Sequence, residues 1–340
     1  MTGQETSARV VILNDTSERQ HHGCSRVMRI LKSGLNDVGF QIIATAPARH
    51  DWAADMNFKA ALAAADLIVI NGEGTLHHGR PAGEALVRVV DELTARGRPV
   101  ALVNALYQSN PKLWARHLRQ MALLAARDAR SGAQMAAAAP DVPLRVMPDL
   151  SLCEGAIATD AVRDLVIFGD SVRLNQRRAL VRAARNCDAD MILPMKTRRS
   201  WPWRLGPLKR ALYAGYCGMV SPVGRVVLVA DEAAYIETIS RAKMHVTGRF
   251  HSVCLSLVTG TPFLALGSNS WKVEALLDEA GVAADRLVSL DELAQMGRAD
   301  MDRPFTVQEK ANIAGFLTHA QDSGDRLFRD LAALAQAHKP

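Results

Sequence analysis

Residues 66–79, DLIVINGEGTLHHG, decide the fold of this chain. The apolar run LIVI is typical of a strand buried on both faces, as in a parallel sheet, and the glycines after it end the strand. A carboxylate, Glu73, and two histidines, His77 and His78, follow that strand end. Residues 10–24, VVILNDTSERQHHGC, likewise run from an apolar strand into two histidines, His21 and His22. Two strand ends therefore carry the same residue types.

Outward from these stretches, short apolar runs alternate with helical patterns along the whole chain, which is typical of βαβ units. This pattern predicts an α/β protein with two Rossmann-like, doubly wound domains that face a central cleft. In parallel sheets ligands bind at the carboxyl ends of the strands, so the residues that follow each strand are the candidates for a functional site. The predicted strands are RVVILND, QIIATA, DLIVING, PVALVNAL, LLAARD, LRVMPDL, LVIFGDS, DMILPM, RVVLVAD, KMHVTGRFH and PFLALGS.

The domain organisation follows from chain length and from one loose segment. A chain of 340 residues is longer than one hydrophobic core usually grows. We predict an N-terminal domain at 1–155, a C-terminal domain at 156–305, and a final helix within 306–340 that packs back toward the N-terminal domain. The boundary is placed in residues 151–164, where the alternation pauses.

Composition narrows the class of protein. Apolar residues make up 49% of the chain, no apolar run is long enough to span a bilayer, and the first residues lack a signal-peptide pattern, so we expect a soluble cytoplasmic protein. The five cysteines lack C-x-x-C spacing, which argues against a disulfide framework or a zinc site. The net charge of +6 favours anionic partners.

Part of that positive charge is concentrated in residues 196–216, KTRRSWPWRLGPLKRALYAGY, where basic residues surround Trp201 and Trp203. Such a segment suits peripheral contact with an anionic membrane, here the inner face of the plasma membrane. The same composition can bind single-stranded nucleic acid, which we consider the weaker interpretation, or form a solvated basic loop.

The carboxyl end of a strand in the second half carries Arg249 and His251, and a helix begins there at once. The free N–H groups of that helix, a guanidinium and an imidazole together predict an anion site with a proton donor beside it. Ser252 lies in the same helix start. The next strand end adds Ser268, Asn269 and Lys272, so we expect these side chains to bind the same acidic ligand.

Residues 248–281, GRFHSVCLSLVTGTPFLALGSNSWKVEALLDEAG, resemble the C-terminal signature of the polysaccharide pyruvyl transferases. ARDARSGAQM, with Arg127, Asp128 and Ser131, is similar to the family's Arg-Asp-x-x-Ser stretch, and Asp149 in PDLSL matches its later aspartate. VINGEGTL stands where the family has a strand followed by glycines. The resemblance covers most of the chain.

The resemblance implies a GT-B-like fold and transfer of a pyruvyl group from phosphoenolpyruvate to two sugar hydroxyls during exopolysaccharide and cell-envelope synthesis. It maps donor binding to Arg127 and Arg249, and we assign His251 as the acid that protonates the donor. The implied partners are an anionic small-molecule donor and a saccharide or lipid-linked saccharide acceptor. The chemistry needs no cofactor.

The first half departs from the family, since Glu73 interrupts the glycine turn and HHGC replaces an Asn-x-Gly-Asp motif. We therefore expect Glu73, His77 and His21 to act on the acceptor hydroxyls, with all four histidines gathered at the strand ends of the first domain. The predicted acceptor-binding residues are Asn14, Asp15, His22, Asn71, Gly72, Gly74 and His78. Adjacent histidines diverge in loops, so no metal site is predicted.

Two other functions remain open. A GT-B-type glycosyltransferase that uses a nucleotide-activated sugar, such as a CMP-linked acidic sugar, would also bind its donor at Arg249. A non-catalytic binding or scaffold protein would not need an arginine, a histidine and a carboxylate at strand ends.

Overall fold

A computed structural model of the chain describes residues 7–93, 97–196, 207, 208, 211 and 226–338. Its strands form two all-parallel sheets, one of six strands and one of five, in the described residues. The chain is thus an α/β protein with two parallel sheets, as the alternation of strands and helices predicted.

The first sheet has the strand order β2-β1-β3-β4-β5-β6. Its strands are β1 (Ala8–Asp15), β2 (Phe40–Pro47), β3 (Leu67–Asn71), β4 (Val100–Ala105), β5 (Leu123–Ala126) and β6 (Leu144–Val146). The helices between them are α1 (His22–Asp37), α2 (Met56–Ala64), α3 (Pro81–Val87), α4 (Val89–Leu93), α5 (Ala115–Leu118) and α6 (Ala129–Ala138).

The second sheet has the strand order β8-β7-β9-β10-β11. Its strands are β7 (Leu165–Ser171), β8 (Met191–Ile192), β9 (Ala242–Gly248), β10 (Phe263–Leu266) and β11 (Leu287–Val288). The described helices that follow are α7 (Leu174–Asn186), α8 (Glu232–Ser240), α9 (Phe250–Val258), α10 (Lys272–Glu279), α11 (Leu290–Gln295) and α12 (Val307–Ala337).

Alternate residues of each central strand enter different cores, which explains why the strands are apolar throughout. In β1, Val10 and Ile12 pack into one core while Val11 and Leu13 pack into another. Side chains point to opposite faces of a strand with a period of two, so a sheet covered on both faces needs apolar residues at every position. The run LIVI at residues 67–70 of β3 is divided between the two cores in the same way.

One predicted strand is absent from the described part of RVVLVAD. Val226 forms only an isolated parallel bridge with Ile192, and Val227 N donates to Ile192 O at 2.9 Å. Because β8 itself has two residues, it offers too short a ladder for a longer neighbour. The two-residue strand β11 was not predicted, since an apolar pair gives no periodic signal.

The chain divides into two compact units. Unit 1 comprises residues 1–18, 27–153 and 320–340, and unit 2 comprises residues 19–26 and 154–319. The first turn of α1 therefore belongs to unit 2, whereas the rest of that helix belongs to unit 1. Likewise α12 begins in unit 2, and its C-terminal half packs Leu327, Phe328 and Leu331 into a core of unit 1.

None of the helices within the described ranges is both long and apolar enough to cross a bilayer. Most of the basic segment 196–216, including Trp201 and Trp203, lies outside the described residues.

Candidate functional site

In each sheet, successive strands of the chain are added first on one side and then on the other, so the strand order reverses at one switch point. In the first sheet the order β2-β1-β3 places it between β1 and β3, and in the second the order β8-β7-β9 places it between β7 and β9. Ligands of open parallel sheets bind outside the strand ends at such switch points. The stretch NGEG begins at the end of β3, and Arg249 directly follows β9.

In unit 1, the ends of β1 and β3 are joined by two asparagines. Asn14 Nδ2 donates to Asn71 O at 2.6 Å, and Asn71 Nδ2 donates to Asn14 O at 3.3 Å. Asn14 has a positive φ of 62°, a left-handed conformation that asparagine tolerates better than most residues. Next to this pair, a Cβ added to Gly72 would lie 2.6 Å from Ala105 Cα, so the turn requires glycine.

The carboxylate of Glu73 is held in a fixed position above these strand ends. Its backbone N–H donates to Asn71 Oδ1 at 3.2 Å, and its Oε2 accepts a hydrogen bond from Thr16 Oγ1 at 2.7 Å. Only 3% of the residue is exposed. A carboxylate held by a hydroxyl at a switch point can act as a base toward a ligand hydroxyl.

His77 and His78 follow Glu73 by four and five residues. Their rings meet edge to face, with centroids 5.2 Å apart, and the backbone pairs with Gln108 through a bridge at His77 and a 2.9 Å bond from His78 N. His77 is buried, whereas His78 is exposed with a positive φ of 57°. The two rings therefore have different access to solvent.

Two other predicted residues of unit 1 form ion pairs. Arg127 Nη1 lies 3.0 Å from Asp149 Oδ2, and both side chains are buried. Lys32 Nζ lies 2.7 Å from Asp15 Oδ2. Burial alone would raise the pKa of Asp15, but hydrogen bonds from Lys32 and Ser17 outweigh it, so this pKa is lowered.

In unit 2, Asp170 and Arg249 join the ends of β7 and β9. Arg249 donates through Nε and Nη2 to Asp170 Oδ2, at 2.9 and 2.5 Å. The other carboxylate oxygen of Asp170 accepts from Met195 N at 3.0 Å, after β8. Arg249 is 7% exposed, so its guanidinium has little freedom to move. This carboxylate thus orients the predicted anion-binding arginine.

The HHGC segment packs on His251. The rings of His21 and His251 lie edge to face with centroids 5.4 Å apart. A Cβ on Gly23 would lie 2.2 Å from His251 Cβ, so only glycine allows this approach. His22 N donates to Met195 O at 3.2 Å, which anchors the segment to the loop after β8.

The two histidines of HHGC are held toward the neutral form. Burial lowers the pKa of His21 well below its usual value, and the charges of His251, Arg249 and Lys196 lower it further. His21 Nδ1 accepts from Cys24 N at 3.3 Å, so its other ring nitrogen carries the proton. Burial also lowers the pKa of His22, whose ring lies 5.3 Å from that of Tyr235.

The remaining predicted donor residues lie on α9 and at the end of β10. Ser252 Oγ is 3.0 Å from the hydroxyl of Tyr235. Asn269 Oδ1 accepts from Ser268 Oγ at 3.2 Å and from Lys272 Nζ at 3.1 Å. Lys272 opens α10, so its ammonium lies at a helix N-terminus with an amide beside it.

Potential metal ligands also meet in unit 2. In the described part of the chain, ligand atoms of His21, Cys24 and His251 lie within 4.8 Å of one another. Arg249 and Lys196 contribute positive charge to this group, and burial together with Arg249 lowers the pKa of Lys196. A cationic surrounding favours an anion over a metal ion.

The structure divides the predicted site residues differently from the sequence argument. Glu73, His77 and His78 lie in unit 1, but His21 and His22 belong to unit 2 and lie beside His251 and Tyr235. A common site of all four histidines with Glu73 at the strand ends of the first domain therefore stays a prediction, while the contacts of His21 and His22 lie in unit 2. The chain leaves unit 1 after residue 18 and returns at residue 27, which short sequence spacing could not reveal.

Sequence reasoning missed Asp170, although a signal was present. Asp170 stands in LVIFGDS at the carboxyl end of a predicted strand, the position that was examined elsewhere in the chain. Its importance depends on β7 being the neighbour of β9, which is a property of the sheet order.

Comparisons with known proteins place the chain in a family and a fold class. A sequence model of the family described as polysaccharide pyruvyl transferase matches residues 9–270. No curated protein matches the chain significantly by sequence.

Among solved structures, the UDP-GlcNAc 2-epimerase from Neisseria meningitidis, bound to UDP-GlcNAc, has a TM-score of 0.54 and 9% identity. The match covers 95% of this chain and 99% of the epimerase. The α,α-trehalose 6-phosphate synthase from Burkholderia multivorans has a TM-score of 0.56 and 11% identity, with 98% of this chain and 100% of that one covered. At such identities the likeness shows the fold alone, which is GT-B-like.

Proposed function

This chain belongs to the polysaccharide pyruvyl transferase family, an enzyme family with saccharide substrates, and from that membership we propose that it transfers a pyruvyl group from phosphoenolpyruvate to a sugar diol. The observation that supports this proposal most is the switch point of the second sheet, where Arg249 and His251 lie at the start of α9 and Asp170 holds Arg249 in place. The family match spans both residues.

The donor assignment rests on charge and geometry within unit 2. Phosphoenolpyruvate carries a carboxylate and a phosphate, and a guanidinium with the N–H groups of a helix start suits such an anion. Lys196 and Lys272 add ammonium groups from the loop after β8 and from the start of α10. Ser252, Ser268 and Asn269 supply neutral hydrogen-bonding groups, while the assignment of Arg127 to the donor stays a prediction.

The reaction consists of one proton donation, one addition and one substitution. His251 gives a proton to the methylene carbon of the donor, which leaves an oxocarbenium-like carbon for the first sugar hydroxyl to attack. The second hydroxyl then displaces phosphate by breaking its bond to the same carbon, which closes the ketal; of the two hydroxyl protons, one restores His251 and the other leaves with the phosphate. His21, beside His251, has a pKa that burial lowers well below its usual value, so it adds no cationic imidazole to the site. Donor and diol are thereby converted to ketal and inorganic phosphate.

The acceptor assignment rests on Glu73, whose carboxylate takes the proton from the attacking hydroxyl in this proposal. The asparagine pair and Thr16 hold Glu73 in place. Asp15, Gly72, Gly74, His77 and His78 surround the same strand ends and are assigned to acceptor binding. His21 and His22 are reassigned to the donor side because of their position in unit 2.

A donor competition experiment tests the reaction. The purified enzyme is incubated with a lipid-linked oligosaccharide and either phosphoenolpyruvate or a CMP-linked acidic sugar, and released phosphate or CMP is measured. We expect acceptor-dependent phosphate release from phosphoenolpyruvate, which Arg249→Ala, His251→Ala and Glu73→Gln abolish. His319→Ala, an exposed histidine of α12, is the control and should retain activity. CMP release without use of phosphoenolpyruvate would instead establish a glycosyltransferase.

The cellular setting is proposed from the family and the sequence together. Synthesis of an envelope polysaccharide on a lipid carrier would place the enzyme at the inner face of the plasma membrane. The basic segment 196–216 supplies the membrane contact in this proposal. Substituting Trp201 and Trp203 with alanine should reduce binding to anionic liposomes and spare phosphate release with a soluble acceptor. Unchanged liposome binding would show that this segment does not make the membrane contact.

A further inference from the structure

Unit 1 contains a cavity of about 610 Å³ at the carboxyl ends of β1 and β2, which we call the β1–β2 cavity. It is lined by Leu13 and Asn14 from β1, by residues 46, 47 and 49–53 from the end of β2 and the loop after it, and by residues of α3, α4 and the residue between them, Arg88. Its volume lies in the range of sites for small molecules. The assigned acceptor residues other than Asn14 do not line it.

One wall of the cavity is apolar and rigid. Trp52 is almost fully buried, and its Nε1 donates to Ala85 O at 3.1 Å, which fixes the indole against α3. Leu86 and Ala82 continue this wall. An indole surface beside apolar side chains suits the C–H face of a pyranose ring, which is weakly polar.

The cavity lining also includes two arginines whose charges the protein leaves available. Arg49 and Arg88 line the cavity, are exposed, and have no ion pair or side-chain hydrogen bond recorded within the described residues. By contrast, two of the acidic lining residues already have cationic partners: Asp91 lies 3.9 Å from Arg116 Nη2 and also contacts His117 at 3.1 Å, and Glu92 lies 3.7 Å from Lys59.

Asp51 is the remaining acidic lining residue. Once the paired carboxylates are set aside, the two arginines and Asp51 leave a net charge of plus one on the cavity lining. Arg49 also has a positive φ of 68°, a conformation that a non-glycine residue adopts at a cost and that is frequent at ligand sites. His50 beside it is held by Asp55 Oδ2 at 3.0 Å. The loop after β2 thus presents a guanidinium in a fixed backbone conformation.

The cavity adjoins the turn that carries Glu73. Thr75, two residues after Glu73, lines the cavity, and Asn14 lines it too. Asn14 Nδ2 lies 2.6 Å from Asn71 O and 3.3 Å from Glu73 O. A sugar in the cavity would therefore lie next to the strand end from which Glu73 projects.

We propose that the β1–β2 cavity binds an acidic sugar unit of the acceptor, with the ring against Trp52 and its carboxylate or phosphate at Arg49 and Arg88. This inference rests on the proposed function for the role of Glu73, but the binding itself does not require transfer. It makes the acceptor an anionic saccharide rather than a neutral one.

Binding of three small probes to the full-length enzyme tests the proposal: methyl glucoside, glucuronic acid and glucose 6-phosphate, each titrated by calorimetry or ligand-observed NMR. We expect one or both anionic probes to bind at least about tenfold tighter than methyl glucoside, because each available guanidinium can form a charge-assisted bond. A preference for glucuronic acid identifies a carboxylate sugar, and one for glucose 6-phosphate identifies a phosphosugar.

The double variant Arg49→Ala/Arg88→Ala should lose that preference while keeping the weak binding of methyl glucoside. Both arginines are exposed, so the variant should fold. The control Lys112→Ala/Arg119→Ala removes the same charge from exposed positions of unit 1 outside the cavity and should bind like the wild type. Trp52→Phe should weaken all three probes.

Two results would overturn the proposal: equal binding of neutral and anionic probes by the wild type, or an anionic preference that survives in the double arginine variant. Glu73→Gln separates this proposal from the proposed function, since it should abolish phosphate release and keep the binding of the anionic probe.

Discussion

The ion pair between Arg286 and Glu309 predicts a large stability loss for Glu309→Gln. Arg286 donates to Glu309 through Nε at 2.6 Å and Nη2 at 3.0 Å, and the carboxylate also accepts from Thr306 N at 2.8 Å. Glu309 is 4% exposed, so this pair is largely removed from water. Both partners lie in unit 2.

Two arguments give the same magnitude. The hydrogen bonds from Arg286, against the opposing effect of burial, lower the pKa of Glu309 from 4.5 to about 2. At 1.36 kcal/mol per pKa unit, this shift corresponds to about 3 kcal/mol of folding free energy at pH 7. Breaking one side of a buried ion pair costs roughly 3–5 kcal/mol. Arg286 keeps bonds to the carbonyls of Phe263, Arg303 and Pro304, which favours the lower end.

Thermal unfolding followed by circular dichroism provides the assay. A loss of about 3 kcal/mol should lower the midpoint of a unit of this size by roughly 6–12 °C at pH 7. Because the folded pKa is depressed, the stabilisation is complete above pH 4.5 and is lost as pH falls toward 2. The difference between wild type and variant should therefore shrink to about 2 kcal/mol at pH 3.5.

Glu292→Gln is the matched control, since Glu292 is an exposed carboxylate of the same unit that accepts from Ser289 N at the start of α11. Its substitution should move the midpoint far less. If Glu309→Gln melted within about 2 °C of the wild type at pH 7, or if its deficit stayed constant down to pH 3.5, the ion-pair argument would be refuted.

Two further predictions concern positions in unit 2. Gly23→Ala should push His251 out of place, because the added Cβ would meet His251 Cβ at 2.2 Å. Calorimetry should then show at least about tenfold weaker phosphoenolpyruvate binding. The control Gly315→Ala, which has open space around it on α12, should retain affinity and gain roughly 0.5–1 kcal/mol in stability. Unaltered affinity in Gly23→Ala would contradict the donor site. His245 is buried, and burial lowers its pKa to about 3. The free energy of unfolding should therefore fall by about 1.4 kcal/mol per pH unit as pH drops from 6.5 toward 3. Urea titrations at several pH values should show a smaller dependence of this free energy on pH for His245→Asn, and an identical dependence would reject the assignment.

The sequence by itself determined the class of fold and the positions at which to look for chemistry. Apolar runs such as LIVI specify strands buried on both faces, and helices between them impose parallel pairing, so two parallel sheets followed from local patterns. The strand ends after LIVI and after KMHVT were likewise readable, which gave Glu73, Arg249 and His251 as candidates. The short strands were less predictable, because two residues carry no period and RVVLVAD lacks a long partner.

Only the tertiary structure decided which strand ends are neighbours and which residues meet. The order β2-β1-β3 brings Asn14 to Asn71, and the order β8-β7-β9 brings Asp170 to Arg249. The path of residues 19–26 through unit 2 places His21 beside His251. These contacts join residues up to 230 positions apart in the chain, and such pairings depend on sheet order and packing, which local propensity does not encode.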